Sequence, residues 1–165
     1  MLEILPVTSD IEIENVVFLA KEIWSDHYVP IIGHKQVDYM LGKFQSCEAV
    51  STDIRAGYEY FGIYSEGNLV GYLSLQRDLS NQSVFLSKIY IHSSARGEGI
   101  GAKTMKFILK QCEKSSADKL WLTVNKNNVG SIDWYKKQDF EIVEELVSDI
   151  GEGFVMDDYK MEKIL

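Results

Sequence analysis

Apolar and polar positions along the chain change period several times, and each change marks an element. Glu3 to Val7 alternates in steps of two, as a short strand does, and Thr8, Ser9 and Asp10 follow with side chains suited to an N-cap. Ile13, Val16, Val17, Leu19, Ala20, Ile23 and Trp24 then recur at helical spacing, which predicts an amphipathic helix ending near Ser25. Asp26 to Gly33 reads as an aromatic and apolar connector, and Val37, Met40, Leu41 and Phe44 form the stripe of a second helix. Strand signals take over in three runs, Tyr58 to Tyr64, Leu69 to Leu75 and Val84 to Ile91, rich in β-branched and aromatic residues. Ser65-Glu66-Gly67-Asn68 joins the first two and the polar Asp78 to Ser83 segment the next, so the three form an antiparallel meander.

Helical spacing returns from Ile100 to about Ser115, and a β-rich run follows at Leu120 to Asn125. Strand, crossover helix and strand make a right-handed parallel unit, whose ligands bind beyond the carboxyl ends of the strands. Asn128 can cap a short helix with Ile132, Trp134 and Tyr135 on its apolar side, and Phe140 to Val147 and Phe154 to Ile164 form a last strand pair around the acidic Asp149 to Gly153. The result is an α/β chain with a mixed sheet. No repeat, low-complexity segment or linker divides its 165 residues, so one domain over residues 1–165 is expected.

Between the parallel strand and its helix lies Arg96-Gly97-Glu98-Gly99-Ile100-Gly101-Ala102, with three glycines in five residues. Glycine takes positive φ without strain, and a glycine-rich loop opening a helix presents free N–H groups and the positive end of the helix dipole to an anion. A P-loop would need Gly-Lys-Ser/Thr, and Gly101-Ala102-Lys103 breaks that order; a dinucleotide fingerprint would need G-x-G-x-x-G, and the run is G-x-G-x-G.

Arg96 to Gly101 does have the R-x-x-G-x-G form, which resembles the pyrophosphate loop of the GCN5-related N-acetyltransferases, the GNAT family, whose co-substrate is acetyl-coenzyme A. A second block, Asn128 to Phe140, resembles the family's Asn-x-x-Ala-x-x-Phe-Tyr-x-Lys-x-Gly-Phe pattern, with Ser131 for alanine, Trp134 for phenylalanine and Asp139 for glycine. Aspartate tolerates the left-handed conformation that glycine serves there better than most residues do.

The resemblance implies the GNAT acyl-CoA N-acyltransferase fold, a mixed central sheet splayed between two parallel strands and flanked by helices. It implies that pantetheine lies against the backbone of Ile89 and Ile91, that Arg96, Gly97, Gly99, Gly101 and Ala102 hold the pyrophosphate, and that Asn128, Tyr135 and Lys137 also meet the cofactor. Tyr135 takes the place of the family's general acid. Attack of an amine on a thioester builds an oxyanion, for which a backbone N–H near Ile91 is the expected donor, and expels a thiolate that a tyrosine hydroxyl can hydrogen-bond. Many relatives keep a glutamate on the strand before the loop. Phe85-Leu86-Ser87-Lys88 offers no carboxylate, which leaves the base to a water chain or to a carboxylate such as Glu22 or Asp26.

The chain looks most like the bacterial polyamine acetyltransferases acting on spermidine and spermine, with Asp149, Glu152, Asp157 and Asp158 as an acidic rim for a polycation. Direct attack in a ternary complex is expected, because no cysteine lies in either block to carry an acyl group. Protein or peptide N-acetylation and a non-catalytic acetyl-CoA sensor are the competing readings, and a nucleotide-phosphate binder using the same loop is a third. Self-association into a homodimer is left open.

Composition narrows the field further. A net charge of −8 argues against nucleic acid and anionic membrane as partners; it would steer a cationic substrate favourably, or serve only to keep the protein soluble. No apolar run approaches the roughly 20 residues of a membrane span, and the start of the chain lacks a basic leader, so a cytoplasmic location is expected. Cys47 and Cys112 read as reduced, and His27 and His34 are not spaced with carboxylates as metal ligands, so no metal is expected. Trp24, Tyr28 and Tyr39 are candidates to line an acceptor pocket.

Overall fold

Ser9 starts the first helix through a capping box: its hydroxyl accepts from the Glu12 N–H at 3.2 Å while the Glu12 carboxylate accepts from the Ser9 N–H at 2.9 Å. In the computed structural model, which describes residues 1–165, this helix, α1, follows strand β1 (Leu2–Pro6) and spans Asp10–Ile32. It therefore absorbs the expected connector. Tyr28 and Ile32 continue the apolar stripe four and eight residues beyond Trp24, and Pro30 removes one helical bond only three residues before Gly33, whose N–H closes the helix on the Val29 carbonyl at 2.9 Å. Helix α2 (His34–Phe44) follows as expected, whereas the hydrophobic pattern does not predict α3 (Cys47–Arg55). Only Val50 of α3 is buried, too short a stripe to register as a period.

The chain then forms β2 (Tyr58–Ser65), β3 (Asn68–Asp78), β4 (Ser83–Ile91), α4 (Ile100–Lys114), β5 (Lys119–Asn125), α5 (Val129–Lys137), β6 (Glu141–Gly151) and β7 (Phe154–Ile164). The strands build one sheet in the order β1-β2-β3-β4-β5-β7-β6, antiparallel except for β4 with β5. This is the expected mixed sheet flanked by helices. One core, on the α4 and α5 side, gathers Leu73, Leu75, Leu86, Ile108, Leu120 and Leu122. The other lies under α1, α2 and α3 and includes Ile23, Trp24, Val37, Val50, Tyr60 and Tyr72.

Strand β4 is irregular in two ways. Its parallel pairing with β5 covers only Ser83 with Lys119, Val84 with Leu120 and Phe85 with Trp121. At that last rung Phe85 stacks on Trp121, ring centroids 4.1 Å apart, and beyond it the strands part. Ser74 pairs with Lys88 and Leu75 with Leu86, so Ser87 is a bulge with no partner on β3. A bulge shifts the alternation of side chains by one. Val84 and Leu86 accordingly join the α4-side core, whereas Tyr90, two positions beyond Lys88, packs under α1.

Candidate active site

Where β4 leaves β5, its main chain is free on one side. His92 donates its N–H to the Val70 carbonyl of β3 at 2.7 Å, and alternation along the strand turns Tyr90 the same way. The backbone groups of Ile91 and Ile89 therefore face the gap between the parallel strands. A cleft of about 560 Å³ opens there, floored by β4 and bounded by the loop and by α5.

The loop that leads into α4 is built for an anion. Gly97 has φ 86° and Gly99, the N-cap of α4, φ 73°, a conformation that strains other residues. Gly101 answers a different need, since a Cβ there would stand 3.3 Å from the Trp134 ring. The first bond of α4 runs from the Lys103 N–H to the Gly99 carbonyl, and none of the N–H groups from Gly97 to Ala102 finds a partner within the chain. Six free donors beside the exposed Arg96 guanidinium fit a pyrophosphate. A short 3₁₀ turn, Ser93–Ala95, holds the loop in place: its His92 cap accepts from the Ser94 N–H at Nδ1 and places Nε2 3.4 Å from Glu22 of α1.

Opposite the loop, α5 turns Ser131, Trp134 and Tyr135 into the cleft. Asn128 is 5% exposed and lines the cleft; its main chain opens the helix, but its side chain makes no cap bond, so the expected side-chain cap is absent. Tyr135 packs on Phe140 with centroids 5.6 Å apart, and burial with the neighbouring Tyr28 hydroxyl pushes its phenol well above the ordinary range. Asp139 adopts φ 67°, the left-handed end that the sequence pattern assigns to glycine.

Through the gap, the cleft meets a second cavity of about 190 Å³ beneath α1 and α2. Tyr28, Ser87, Lys88, Tyr90, Thr123 and Val124 line both. Tyr28 and Tyr90 share a hydrogen bond of 3.0 Å, and burial pushes the Tyr28 phenol up to about 12. Asp158 of β7 lines the second cavity, and burial followed by repulsion from Asp157 raises its carboxyl to about 6. Burial lowers the Lys88 ammonium, and burial followed by the charge of Arg96 lowers the His27 imidazole, keeping it neutral near pH 7.

Residues 19–140 match the acetyltransferase (GNAT) family, about three-quarters of the chain. The chain belongs to this family. Its relatives include the spermine/spermidine N(1)-acetyltransferase of Bacillus subtilis (strain 168), 24% identical over 135 residues that cover 76% of this chain and 89% of that protein. Among solved structures it resembles the PaiA N-acetyltransferase of Thermoplasma acidophilum in complex with coenzyme A, with a TM-score of 0.82 and 19% identity over 100% of this chain and 99% of that one. The ribosomal-protein-S18-alanine N-acetyltransferase of Escherichia coli superposes with a TM-score of 0.74 and 16% identity, over 99% of this chain and 94% of that one. The GNAT fold is therefore established, and the protein is an acetyl-CoA-dependent N-acetyltransferase with acetyl-CoA as co-substrate.

Within this acetyltransferase, Ile89, Ile91, Arg96, Gly97, Gly99, Gly101, Ala102, Asn128 and Tyr135 line one cleft. Lys137 does not. Two residues beyond Tyr135 on a helix lies nearly the opposite face, and Lys137 is exposed there. Glu22 and Asp26 also lie outside the cleft; Glu22 faces His92 and Asp26 is exposed. Of the three candidate pocket aromatics, Trp24 and Tyr28 line the second cavity, while Tyr39 donates instead to the Ile150 carbonyl at 2.6 Å. The acidic rim does not gather: Asp149 accepts from the Gly151 N–H, Asp157 pairs with Lys126 at 2.9 Å, and only Asp158 turns inward. His27 and Lys88 are not among the cofactor or catalytic residues that the sequence pattern predicts; the available signal for Lys88 is that it is the single charge in β4.

Proposed function

We propose that this enzyme acetylates a primary amine of a small molecule by direct attack, with acetyl-CoA and the acceptor bound together. The observation that carries the reading is the meeting of the two cavities across the gap between β4 and β5, which lets an amine reach the cleft from the side opposite the cofactor loop. The loop from Arg96 to Ala102 would hold the pyrophosphate, Asn128 and the free backbone of Ile89 and Ile91 the pantetheine arm. Acetyl-CoA supplies the activated acyl thioester. The Ile91 N–H is the donor for negative charge gathering on the carbonyl oxygen as the amine nitrogen bonds to carbon and the carbon–sulfur bond breaks.

Tyr135 acts at the departing sulfur. Its raised phenol stays protonated at neutral pH, and a thiol of pKa about 8.5 is the stronger acid, so Tyr135 stabilises the thiolate as a hydrogen-bond donor rather than by complete proton transfer. A hydrogen bond to a charged group contributes about 1.5–3 kcal/mol, which sets the expectation for Tyr135→Phe at about a 10- to 150-fold lower kcat with little change in KM for acetyl-CoA. Free-thiol release from acetyl-CoA over a panel of amines tests both points. Spermidine and spermine, named in the Bacillus relatives, head the panel, followed by short peptides and amino acids. Unchanged turnover in Tyr135→Phe would remove Tyr135 from the mechanism, and tight cofactor binding without thiol release from any amine would favour a sensor. We place the activity in the cytoplasm, in keeping with two unpaired cysteines.

A further inference from the structure

Asp158 is the only acidic side chain of the second cavity, and nothing in the protein satisfies it. It is 6% exposed, takes part in no ion pair and accepts no side-chain hydrogen bond. The neighbouring Asp157 projects to the other face of β7, where Lys126 neutralises it at 2.9 Å. Of side-chain polar atoms fully sealed from solvent, only Ser74 Oγ and Thr104 Oγ1 lack a partner, so the Asp158 oxygens open onto the cavity. Most of the surrounding walls are apolar, among them Trp24, Met40, Phe85 and Met156, and the uncharged polar ones are Gln36, Ser87, Thr123 and Asn125. A carboxylate so placed carries a large desolvation penalty unless a cation joins it.

Lys88 lines the same cavity, as it also lines the cleft and a further hollow beside Asp53, and it has no ion-pair partner. The bulge at Ser87 turns it toward the α1 side, where its Nζ donates to Ser87 Oγ at 3.2 Å and stands 5.7 Å from the Tyr60 ring centroid. Asp53, whose charge acts on it, makes no ion pair with it and already accepts from the Tyr60 hydroxyl at 2.9 Å. Had Lys88 and Asp158 served only the fold, pairing with each other would have offset both penalties, and they do not pair. A largely apolar cavity lined by one unpaired anion and one separate unpaired cation matches a ligand carrying the complementary charges.

We infer that the acceptor is an amine that also bears an anionic group, of which amino acids are the simplest, with its ammonium received by Asp158 and its anion by Lys88. This rests on the reading of the second cavity as the acceptor site. Asp158 takes one proton from the ammonium, the freed amine nitrogen forms the new bond to the acyl carbon as the bond to sulfur breaks, and that nitrogen sheds its second proton as the amide forms. The net products are amide, coenzyme A thiol and one proton. A polyamine would place a second ammonium against Lys88, so the same geometry selects against it.

The test compares α- and ω-amino acids, the corresponding amino amides and spermidine in wild type, Lys88→Gln, Lys88→Glu and Asp158→Asn, by thiol release and by calorimetric binding of each acceptor to the enzyme with coenzyme A present. Wild type is expected to favour an amino acid over its amide by tenfold or more in kcat/KM, a discrimination of about 1.4 kcal/mol. Lys88→Gln should abolish that ratio by raising KM for the acid alone, Lys88→Glu should shift preference to spermidine, and Asp158→Asn should lose turnover with every amine while still binding coenzyme A. Spermidine or amides used as well as amino acids, with ratios unaltered in Lys88→Gln, would overturn this inference and leave amine acetylation standing. Absence of thiol release with any amine would overturn the acetylation reading and this inference with it.

Discussion

At the scale of single residues, Asp158 works against the stability of the fold. Its carboxyl titrates near 6 in the folded protein because burial and then Asp157 disfavour the charge, against about 3.9 in an unfolded chain. The folded state therefore holds the proton more tightly between about pH 4 and pH 6, and stability falls as pH rises through that window. Above it, the carboxylate costs up to about 3 kcal/mol, since a pKa difference of one between the two states corresponds to about 1.4 kcal/mol. Asp158→Asn keeps the shape without the charge, and thermal unfolding at pH 7.5 should show it more stable than wild type while the difference closes near pH 4. A lower Tm at pH 7.5 would mean that the carboxylate has a structural partner. A buried charge that weakens the fold and faces a cavity is the pattern of a group kept for chemistry.

At the scale of elements, the site depends on how β4 is held against β3. A Cβ on Gly71 would lie 2.4 Å from the Tyr90 carbonyl oxygen and 3.2 Å from the Ile91 Cα, so the two backbones meet there with no room for a side chain. Gly71→Ala must push β4 outward at the point where it borders the cleft. Overpacking of this kind costs about 1–3 kcal/mol, and the displaced Ile89 and Ile91 backbone should also weaken the cofactor. Thermal melts and KM for acetyl-CoA should both worsen in this variant; a lower Tm with an unchanged KM would separate the packing of β4 from its part in binding. The same dependence explains why the bulge matters. Were Ser87 an ordinary ladder residue instead of a bulge, Lys88 and Tyr90 would fall on the α4 side and the second cavity would lose its cation and one of its aromatic walls.

At the scale of the whole molecule, the cofactor should tie together parts that meet only in the fold: the loop before α4, the edge of β4 and the face of α5. A ligand that binds only the folded state at about 100 times its Kd adds about 2.7 kcal/mol of stability, or about 5–10 °C in Tm for a chain of this size. Coenzyme A should produce that rise in a melting experiment and ATP a smaller one, because ATP shares the phosphates but has no pantetheine arm for Ile89, Ile91 and Asn128. Equal protection by ATP would assign the loop to nucleotide binding. Short-range features of this kind were legible in the chain itself. Positive φ at Gly97 and Gly99, the free N–H groups at the start of α4 and the period of each strand follow from residue type and local spacing, and so the shape of the glycine loop and the mixed sheet could be read directly. Tertiary structure alone decided the rest. Alternation in β4 and β7 says that neighbours face opposite ways but not which way, and a single bulged residue reverses the assignment. The outward position of Lys137, the extension of α1 past Pro30, and the gathering of Asp158, Tyr28 and Lys88 around one cavity all depend on contacts between distant segments. Burial of a charge is set by what packs over it, which no local pattern records.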